Sequence, residues 1–239
     1  MDTLAILMPV KNGARHVNKA IDSIVAQTAF VNGRLDYKII LVDNASTDNL
    51  KEAVRDRVKV EHLYCEEPGV VPARNTGIFH ILNEGKYSHV AILDCDDEWH
   101  PNKLDLQFSE FFNKKDLDIC GSGMRFFRDE ESFDVIYPET HEQIMHDINS
   151  GKNPFGHSSI VYHKRIFKRC GGYDETYRYC EDYDLLVRAC KHHKAYNIPK
   201  VLVNYDYSRK SEQYLNEQGE NTQKLFSRIL INNNAVKLF

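Results

Sequence analysis

Four acidic residues follow a short apolar run near the middle of this 239-residue chain. Residues 90–93 are apolar, and the acids that come next are Asp94, Asp96, Asp97 and Glu98. Carboxylates this close repel one another, which favours a compensating cation. Oxygen ligands on a short turn suit Mg²⁺ or Mn²⁺, and Mg²⁺ commonly uses one or two carboxylates together with substrate phosphates. The stretch predicts a metal and phosphate site, and a solvated acidic turn before a helix near Pro101 is the simpler alternative.

The first hundred residues predict the elements that would position these acids. Apolar runs indicate buried strands at residues 4–8, 39–42, 58–64 and 90–93. Apolar residues at helical spacing indicate helices at 17–28 and 71–82. This alternation implies a mostly parallel sheet with helices on both faces, and Asp48 is the expected N-cap of a helix after the second strand. Polar turns at 9–15, 43–48 and 94–100 should therefore line one edge of the sheet, where such folds bind ligands.

The pattern changes after Pro101, where helix and strand signals are mixed. A helix should start near Pro101, and a second should cover residues 181–190. Strands are expected at 117–121, 124–127, 159–162 and 201–207. Residues 129–157 show little beyond a helical pattern at 144–148. With no repeat and no flexible linker, residues 1–239 predict one domain in two sequence halves, with a helical tail over 212–239.

Composition excludes several classes of protein. The net charge of −4 argues against a nucleic-acid binder that works by bulk electrostatics. No apolar run has the length of a membrane span, and the N-terminus lacks the regions of a signal peptide, so we expect a cytoplasmic protein. The six cysteines form no CxxC pair, which predicts buried thiols rather than a zinc site.

Four motifs fall where the elements predict ligand-binding turns. They read Pro9-Val10-Lys11-Asn12, Val42-Asp43-Asn44-Ala45-Ser46-Thr47-Asp48, Leu93-Asp94-Cys95-Asp96-Asp97, and Gly171-Gly172-Tyr173-Asp174-Glu175 with Glu181-Asp182. In this order and spacing the chain, from about Leu4 to Ser211, resembles the inverting nucleotide-sugar glycosyltransferases of family 2. The resemblance implies an α/β protein with the GT-A fold, a Rossmann-like and mostly parallel sheet flanked by helices, with a smaller mixed acceptor-side half. Residues 1–100 would bind the nucleotide sugar, and residues 101–211 the acceptor.

The resemblance assigns donor-binding roles to residues in the first half. They are Pro9, Lys11, Asn12, Asp43, Asn44, Arg74, Asp94 and Asp96. Asp43 would lie beside the base, but Asn44 stands where many members have a second Asp, so the base preference is open. Arg74 would meet nucleotide or diphosphate oxygens, and a surface salt bridge is its simpler role. Asp96 would be the principal ligand of Mn²⁺ or Mg²⁺, with Asp97 or Asp94 directed to the ribose or to water on the metal.

Asp182 matches the catalytic base of the family. An acceptor hydroxyl must lose a proton as it attacks the anomeric carbon, and a positioned carboxylate can take it. Glu181, beside it, would raise its affinity for that proton. Acidic residues favoured at a helix N-terminus are a second explanation of this pair, and both can hold together. Trp99 and His157 would lie on the acceptor side, Trp99 mainly by packing, and a lone histidine is more often structural.

The chain also departs from the family pattern. Where many members carry Tyr-Arg-x-His after the last strand, Asp206 and Ser208 replace the Arg and His, and Arg209 or Lys210 would have to supply positive charge. The expected function is metal-dependent, inverting sugar transfer from a nucleoside-diphosphate donor to a glycan, lipid-linked or protein acceptor. A catalytically impaired carbohydrate-binding or scaffold relative is the alternative. A sugar-nucleotide pyrophosphorylase lacks support because its glycine-rich phosphate loop is absent. The tail is expected to pack on the core, and pairing with a second subunit or resting on a membrane stay open.

Overall fold

The computed structural model describes residues 3–128, 130–177, 179–208, 220, 223–225 and 227. The first half of the chain alternates strands and helices as predicted. Its elements are β1 (Thr3–Val10), α1 (Val17–Val25), α2 (Thr28–Val31), β2 (Asp36–Asp43), α3 (Leu50–Ala53), β3 (Val60–Tyr64), α4 (Val70–Glu84) and β4 (Tyr87–Ile92). Each predicted strand is present, with bounds that differ by a few residues. Asp48 is not a cap, because α3 starts later, at Leu50.

The four strands of the first half pair in parallel, in the order β3-β2-β1-β4. Along β1, Ala5 and Leu7 enter one apolar cluster, whereas Leu4, Ile6 and Met8 enter the other. Successive side chains of a strand point to opposite faces, so the sheet is buried on both sides. This explains why the strands read as unbroken apolar runs, and it confirms the α/β architecture.

The second half adds a mixed region to the same sheet. Its elements are β5 (Glu98–Trp99), α5 (Lys103–Asn113), β6 (Leu117–Arg128), β7 (Glu131–Val135), α6 (His141–Asn149), β8 (Val161–His163), α7 (Arg165–Cys170), α8 (Glu181–Cys190) and β9 (Lys194–Asp206). The sheet continues from β4 in the order β8-β6-β9-β5, and β7 pairs with β6. Both sequence halves therefore share one sheet among the described residues.

Several expectations for the second half were wrong in detail. Residues 117–121 and 124–127 form one strand, β6, instead of two. Residues 157–159 form a short 3-10 turn, and β8 starts only after it. Strands β5 and β7 were missed, because β5 has two residues and β7 is largely exposed, so neither shows an apolar pattern. Helix α6 is longer than the pattern at 144–148 and begins with a capping box between Thr140 and Gln143.

Helix α4 lies close against the sheet because Gly77 faces it. A Cβ at Gly77 would lie 2.2 Å from Cδ1 of Leu7 and 3.1 Å from Cγ2 of Val42. Leu7 and Val42 are fully buried, so neither can move aside easily. This close approach fixes α4 over the carboxyl ends of β1 and β2, and it sets the position of Arg74 one turn earlier.

The tail predicted over residues 212–239 lies mostly outside the described residues. Leu225 is described, and it is buried against the cluster that contains Ala5 and Leu7. No helix within the described ranges is both long enough and apolar enough to cross a membrane. The six cysteines form no disulfide within the described residues, and all are buried except Cys170, which is partly exposed.

Candidate active site

The loops that follow β1 and β2 are joined by hydrogen bonds. The backbone N–H of Asn12 donates to Oγ of Ser46 at 2.9 Å, and Oδ1 of Asn12 accepts from the N–H of Thr47 at 2.8 Å. Asp48 accepts from the N–H of Ala14 at 2.9 Å. Asn12 is held in the left-handed region, with φ of 52°. Two of the predicted donor-binding turns therefore form one unit at the carboxyl edge of the sheet.

Asp43 and Asn44 have different environments despite being neighbours. Oδ1 of Asp43 accepts from the N–H of Ser46 at 2.9 Å, and its side chain is 12% exposed. The side chain of Asn44 is buried and bonds the backbone of the segment before α4: it donates to the carbonyls of Cys65 and Glu67 and accepts from Gly69. Asn44 thus fastens a loop, and this placement does not favour the donor-binding role predicted for it.

The acidic stretch after β4 places its carboxylates in different directions. Asp94 and Asp96 are partly exposed, whereas Asp97 is only 1% exposed. Asp97 accepts a hydrogen bond from Oγ of Ser158, and the same Oγ accepts from the N–H of Asp94 at 3.2 Å. Trp99 is buried, and its indole N–H donates to the carbonyl of Ser158 at 2.8 Å. Asp97 and Trp99 are therefore buried and hold the turn in place through Ser158. This arrangement disfavours a metal role for Asp97, and it agrees with the packing role predicted for Trp99.

Arg74 joins the acidic stretch to the start of α8. Its Nη2 donates to Oδ1 of Asp94 at 3.0 Å, and its Nη1 donates to Oε1 of Glu181. Burial works against the charge of the guanidinium, but the carboxylates of Asp94 and Glu181 outweigh it and raise the pKa of Arg74. The side chain is 5% exposed. Arg74 is therefore a buried link between two carboxylates and not a surface salt bridge, and its contact with nucleotide or diphosphate oxygens stays a prediction.

A clamp between α4 and the turn before α8 orients the aromatic side of this arrangement. The carboxamide of Asn75 donates to the carbonyl of Tyr173 at 2.9 Å and accepts from its N–H at 2.8 Å. The hydroxyl of Tyr173 lies 3.1 Å from Nε2 of His157. Burial, followed by the charge of Arg74, lowers the pKa of His157 to about 4. His157 is therefore a neutral imidazole at neutral pH, held beside the guanidinium.

Asp182 lines the same cavity as Asp94. The cavity has a volume of about 460 Å³. Its lining residues are Arg74, Asp94, Met124, Phe126, Phe133, Tyr137, Asn153, Phe155, Gly156, His157, Ser158, Cys180, Glu181, Asp182, Tyr205 and Tyr207. Nδ2 of Asn153 donates to Oδ2 of Asp182 at 3.0 Å. Asp96 is two residues beyond Asp94 and does not belong to the lining. The fold therefore brings the predicted donor side and the predicted base to one cavity.

Helix α8 starts at this cavity from a strained residue. Cys180, its N-cap residue, has φ of 64°, in the left-handed region that residues with a Cβ rarely adopt. Such strain costs on the order of 1–3 kcal/mol and clusters at functional sites. It directs Glu181 inward to Arg74 and places Asp182 beside Asn153. Acids in the first turn also interact favourably with the helix dipole, so the structural and functional explanations of this pair both apply.

The proton affinity of Glu181 gives a testable pH dependence. Burial raises the pKa of Glu181 from 4.5 to about 7 against the opposing charge of Arg74, and Asp182 and Asp94 add to the rise. The folded protein then holds this proton more tightly than the unfolded chain does. The stability that it contributes is complete below about pH 4.5 and is lost as the pH rises to about 7.

Glu181→Gln removes this titration. We expect the variant to gain stability relative to the parent as the pH rises from 5 to 8, by roughly 3 kcal/mol at most. Urea unfolding of both proteins at the two pH values measures the difference. Glu66→Gln, at an exposed position, controls for the loss of one acidic side chain. A variant whose stability differs from that of the parent equally at both pH values would show that Glu181 does not titrate in this range.

The acids at the edge of the sheet fit a divalent cation only in part. Among the described residues, no group of three or more His, Cys, Asp or Glu side chains is arranged to hold a metal ion. Mg²⁺ is often held by one or two carboxylates with the remaining ligands from substrate phosphates and water. Asp94 and Asp96 are partly exposed acids of this stretch, and they would be the two carboxylates for such a cation. The site therefore fits a cation that arrives with a phosphorylated ligand.

Three structural contacts were missed from the sequence. Ser158 links Asp94, Asp97 and Trp99, and Asn153 bonds Asp182, but neither residue was given a role from the sequence. Tyr173 belongs to a quoted motif, but only its turn was predicted. The sequence Gly156-His157-Ser158-Ser159 held the one available signal, a small polar run before a strand.

Two further residues predicted to bind the donor lie at the end of β1 and just after it. Lys11 is exposed, and Pro9 lies in β1, where it pairs with Val42.

Comparison with known proteins agrees with this arrangement. Residues 5–171 match the family described as Glycosyl transferase family 2, and residues 132–229 match Glycosyltransferase like family 2. The O-antigen biosynthesis glycosyltransferase WbnJ of Escherichia coli is 28% identical over 229 residues, which cover 89% of this chain and 83% of WbnJ.

Two solved structures share the fold. S. aureus TarS 1-349 in complex with UDP-GlcNAc superposes with a TM-score of 0.67 at 17% identity, covering 90% of this chain and 61% of that one. The mannosyltransferase PcManGT from Pyrobaculum calidifontis, in complex with GDP-Man and Mn²⁺, gives 0.61 at 18% identity, covering 88% and 58%. This chain thus spans about three fifths of each of those two proteins. The first family match alone covers more than half of the chain. The chain therefore belongs to glycosyltransferase family 2 and is a glycosyltransferase with the GT-A fold.

Proposed function

We propose that this enzyme transfers one sugar from a nucleoside-diphosphate donor to an acceptor hydroxyl, with a divalent cation and with inversion at the anomeric carbon. The observation that carries the proposal is the single cavity lined by both Asp94 and Asp182. The donor occupies the side formed by the loops after β1, β2 and β4. The acceptor occupies the side formed by β6, β7 and β9.

Most of the residues predicted to bind the donor keep that role in the proposal. Asp43, Asn12 and Lys11 face the nucleotide, and Asp94 and Asp96 receive Mn²⁺ or Mg²⁺ together with the diphosphate. The cation, when bound, stabilises the negative charge that grows on the diphosphate as it leaves. Asp97 holds Ser158, and through it the backbone of Asp94, so its role is to position the turn.

Asp182 acts on the acceptor. The acceptor oxygen forms a bond to the anomeric carbon while the bond from that carbon to the diphosphate oxygen breaks, and the hydroxyl proton passes to Asp182. Attack from the face opposite the diphosphate inverts the anomeric centre. Asn153 orients the carboxylate through its hydrogen bond to Oδ2. No covalent intermediate on the protein is required.

The relatives suggest which donors and acceptors to test. TarS was solved with UDP-GlcNAc and PcManGT with GDP-Man, so the panel of donors should contain uridine and guanosine nucleotides. The position of Asn44 leaves this choice open, because its amide is occupied by backbone groups. WbnJ is named for O-antigen biosynthesis, which favours a glycan or a lipid-linked glycan as the acceptor.

Donor binding can be measured before the acceptor is known. We expect the unfolding midpoint to rise with at least one nucleotide sugar, and to rise further with MnCl₂, because a ligand that binds only the folded state stabilises it by about 2.7 kcal/mol at a hundred times its Kd. Asp96→Ala should remove the part that depends on MnCl₂. Asp116→Ala, at an exposed position in the turn between α5 and β6, serves as the matched control. If no nucleotide sugar in the panel shifts the midpoint, the proposal fails.

One alternative remains, a carbohydrate-binding relative without catalysis. Its support is local: Asp206 accepts from the N–H of Ser208, so these two residues close a turn where many members carry an Arg and a His. Arg209 and Lys210, which were expected to supply charge, lie outside the described residues. Release of free sugar from the donor in the presence of Mn²⁺ would exclude this alternative.

A further inference from the structure

Four aromatic side chains form a continuous row in the cavity that Asp182 also lines. The row consists of Phe133 on β7, Phe126 on β6, Tyr205 on β9, and Tyr207 just after β9. Phe126 is in register with Phe133 on one side and with Tyr205 on the other. Residues in register across neighbouring strands project from the same face of a sheet. The three strands therefore align their rings across one face, and all four rings line the cavity.

The rings of the aromatic row pack against one another and remain accessible. The centroids of Phe126 and Phe133 are 5.3 Å apart with planes 5° from parallel, and those of Phe126 and Tyr205 are 5.0 Å apart. Tyr207 lies 5.9 Å from Phe133. Phe133 is 53% exposed, and the other three are partly buried. Exposed aromatic surface that continues into a cavity is typical of a binding site.

The chemistry of the cavity lining limits what covers the row. The lining contains a charged group, made of the guanidinium of Arg74 with the acids Asp94, Glu181 and Asp182, and it contains the flat rings of the row. The four rings carry no charge, so they offer a diphosphate no charged partner. A pyranose ring has one face of C–H groups, which suits an aromatic surface, and a rim of hydroxyls, which suits Asn153 and Asp182.

We propose that the aromatic row is the acceptor platform, on which one pyranose ring of the acceptor stacks so that a hydroxyl at its edge reaches Asp182. The inference rests on the proposed function, and it narrows the acceptor to a molecule that presents a sugar ring. A long prenyl chain is the competing occupant. It would need a lining that is apolar throughout, but Arg74, Asp94, Glu181 and Asp182 line the same cavity as the row.

The platform can be tested with soluble sugars. Saturation-transfer NMR with methyl glycosides of glucose, galactose, rhamnose and N-acetylglucosamine should show contact through the C–H groups of one ring face. Phe133→Ala should weaken the binding of the responding glycoside about tenfold. Phe133→Tyr keeps a ring and should restore it. Phe79→Ala is the matched control, because Phe79 is 55% exposed on α4 and does not line the cavity.

The outcomes separate this inference from the proposed function. The donor-induced shift of the unfolding midpoint should be the same in Phe133→Ala as in the parent, because none of the residues proposed to bind the donor belongs to the row. If no nucleotide sugar binds the parent, the proposed function fails, whatever the glycosides do. If no methyl glycoside binds, or if binding is equal in Phe133→Ala and the parent, the platform is wrong. Farnesyl phosphate that binds through Phe133 when the glycosides do not would also overturn it, in favour of a lipid.

Discussion

Asp182→Asn is expected to reduce sugar transfer by about 10²–10⁴-fold while donor binding stays as in the parent. An amide has nearly the shape of a carboxylate but cannot accept the proton of the acceptor hydroxyl. Asp182 is partly exposed at the start of α8, and its contact to Asn153 can be made by an amide oxygen as well. The change therefore removes the basic group and leaves the cavity in place.

The stability of this variant provides the first control. An acid in the first turn of a helix is favoured by about 0.3–1 kcal/mol at a surface, so the unfolding midpoint should fall only slightly. Glu142→Gln removes the acid in the first turn of α6 and should produce no loss of transfer. Asn153→Ala should give a smaller loss than Asp182→Asn, because it disturbs the orientation of the base but not its basicity. Transfer at the parental rate by Asp182→Asn would show that another group accepts the proton.

The strands and helices of the first half could be predicted because both faces of the sheet are buried. Such strands must be apolar at every position, and β1 shows this with seven buried residues of eight. Strand β7 is largely exposed, so its residues need not be apolar. With only five residues, Glu131–Val135, it is too short to show a period that sequence alone can detect. The aromatic row could not be predicted for the same reason, since it depends on the register between β7, β6 and β9.

The site was predicted less completely than the fold, and the reason lies in the turns. Which way a side chain in a turn points depends on backbone angles, and Asn12, Ala45 and Cys180 all have positive φ. Alanine and cysteine do not favour that region, so their types gave no warning. Consequently Asn44 and Asp97, predicted to face ligands, bond the protein itself, while Ser158 acquires a role that its sequence context did not suggest.

Replacing Arg74 by methionine is expected to destabilise the fold by about 3–5 kcal/mol, a large part of the stability of a typical domain. The side chain of Arg74 is 5% exposed, that of Glu181 is 9% exposed, and that of Asp94 is 24% exposed. Methionine fills a similar volume but leaves both carboxylates without their cation. Arg74→Lys should be intermediate, because a single ammonium lacks the fork that reaches two carboxylates at once.

The loss should depend on pH in a direction set by Glu181. Because the pKa of Glu181 is raised to about 7, much of its charge is absent at pH 5 in the parent. At pH 5, removal of Arg74 therefore leaves mainly the Asp94 carboxylate without a cationic partner. At pH 8 it leaves the carboxylates of both Asp94 and Glu181 without one. Urea unfolding should therefore show a larger loss for Arg74→Met at pH 8 than at pH 5.

Arg125→Met is the matched control for this measurement. It breaks an ion pair with Asp134 at 2.7 Å in which both side chains are about half exposed, so little change is expected at either pH. Measuring donor binding in the Arg74 variants then shows whether the loss of Arg74 also disturbs the donor site. If Arg74 positions Asp94 and Glu181, the donor-induced shift that depends on MnCl₂ should fall in Arg74→Met and partly return in Arg74→Lys. A stable Arg74→Met protein with full donor binding would contradict this role. It would mean that the sheet and the Asn75 clamp alone hold Asp94 and Glu181 in position.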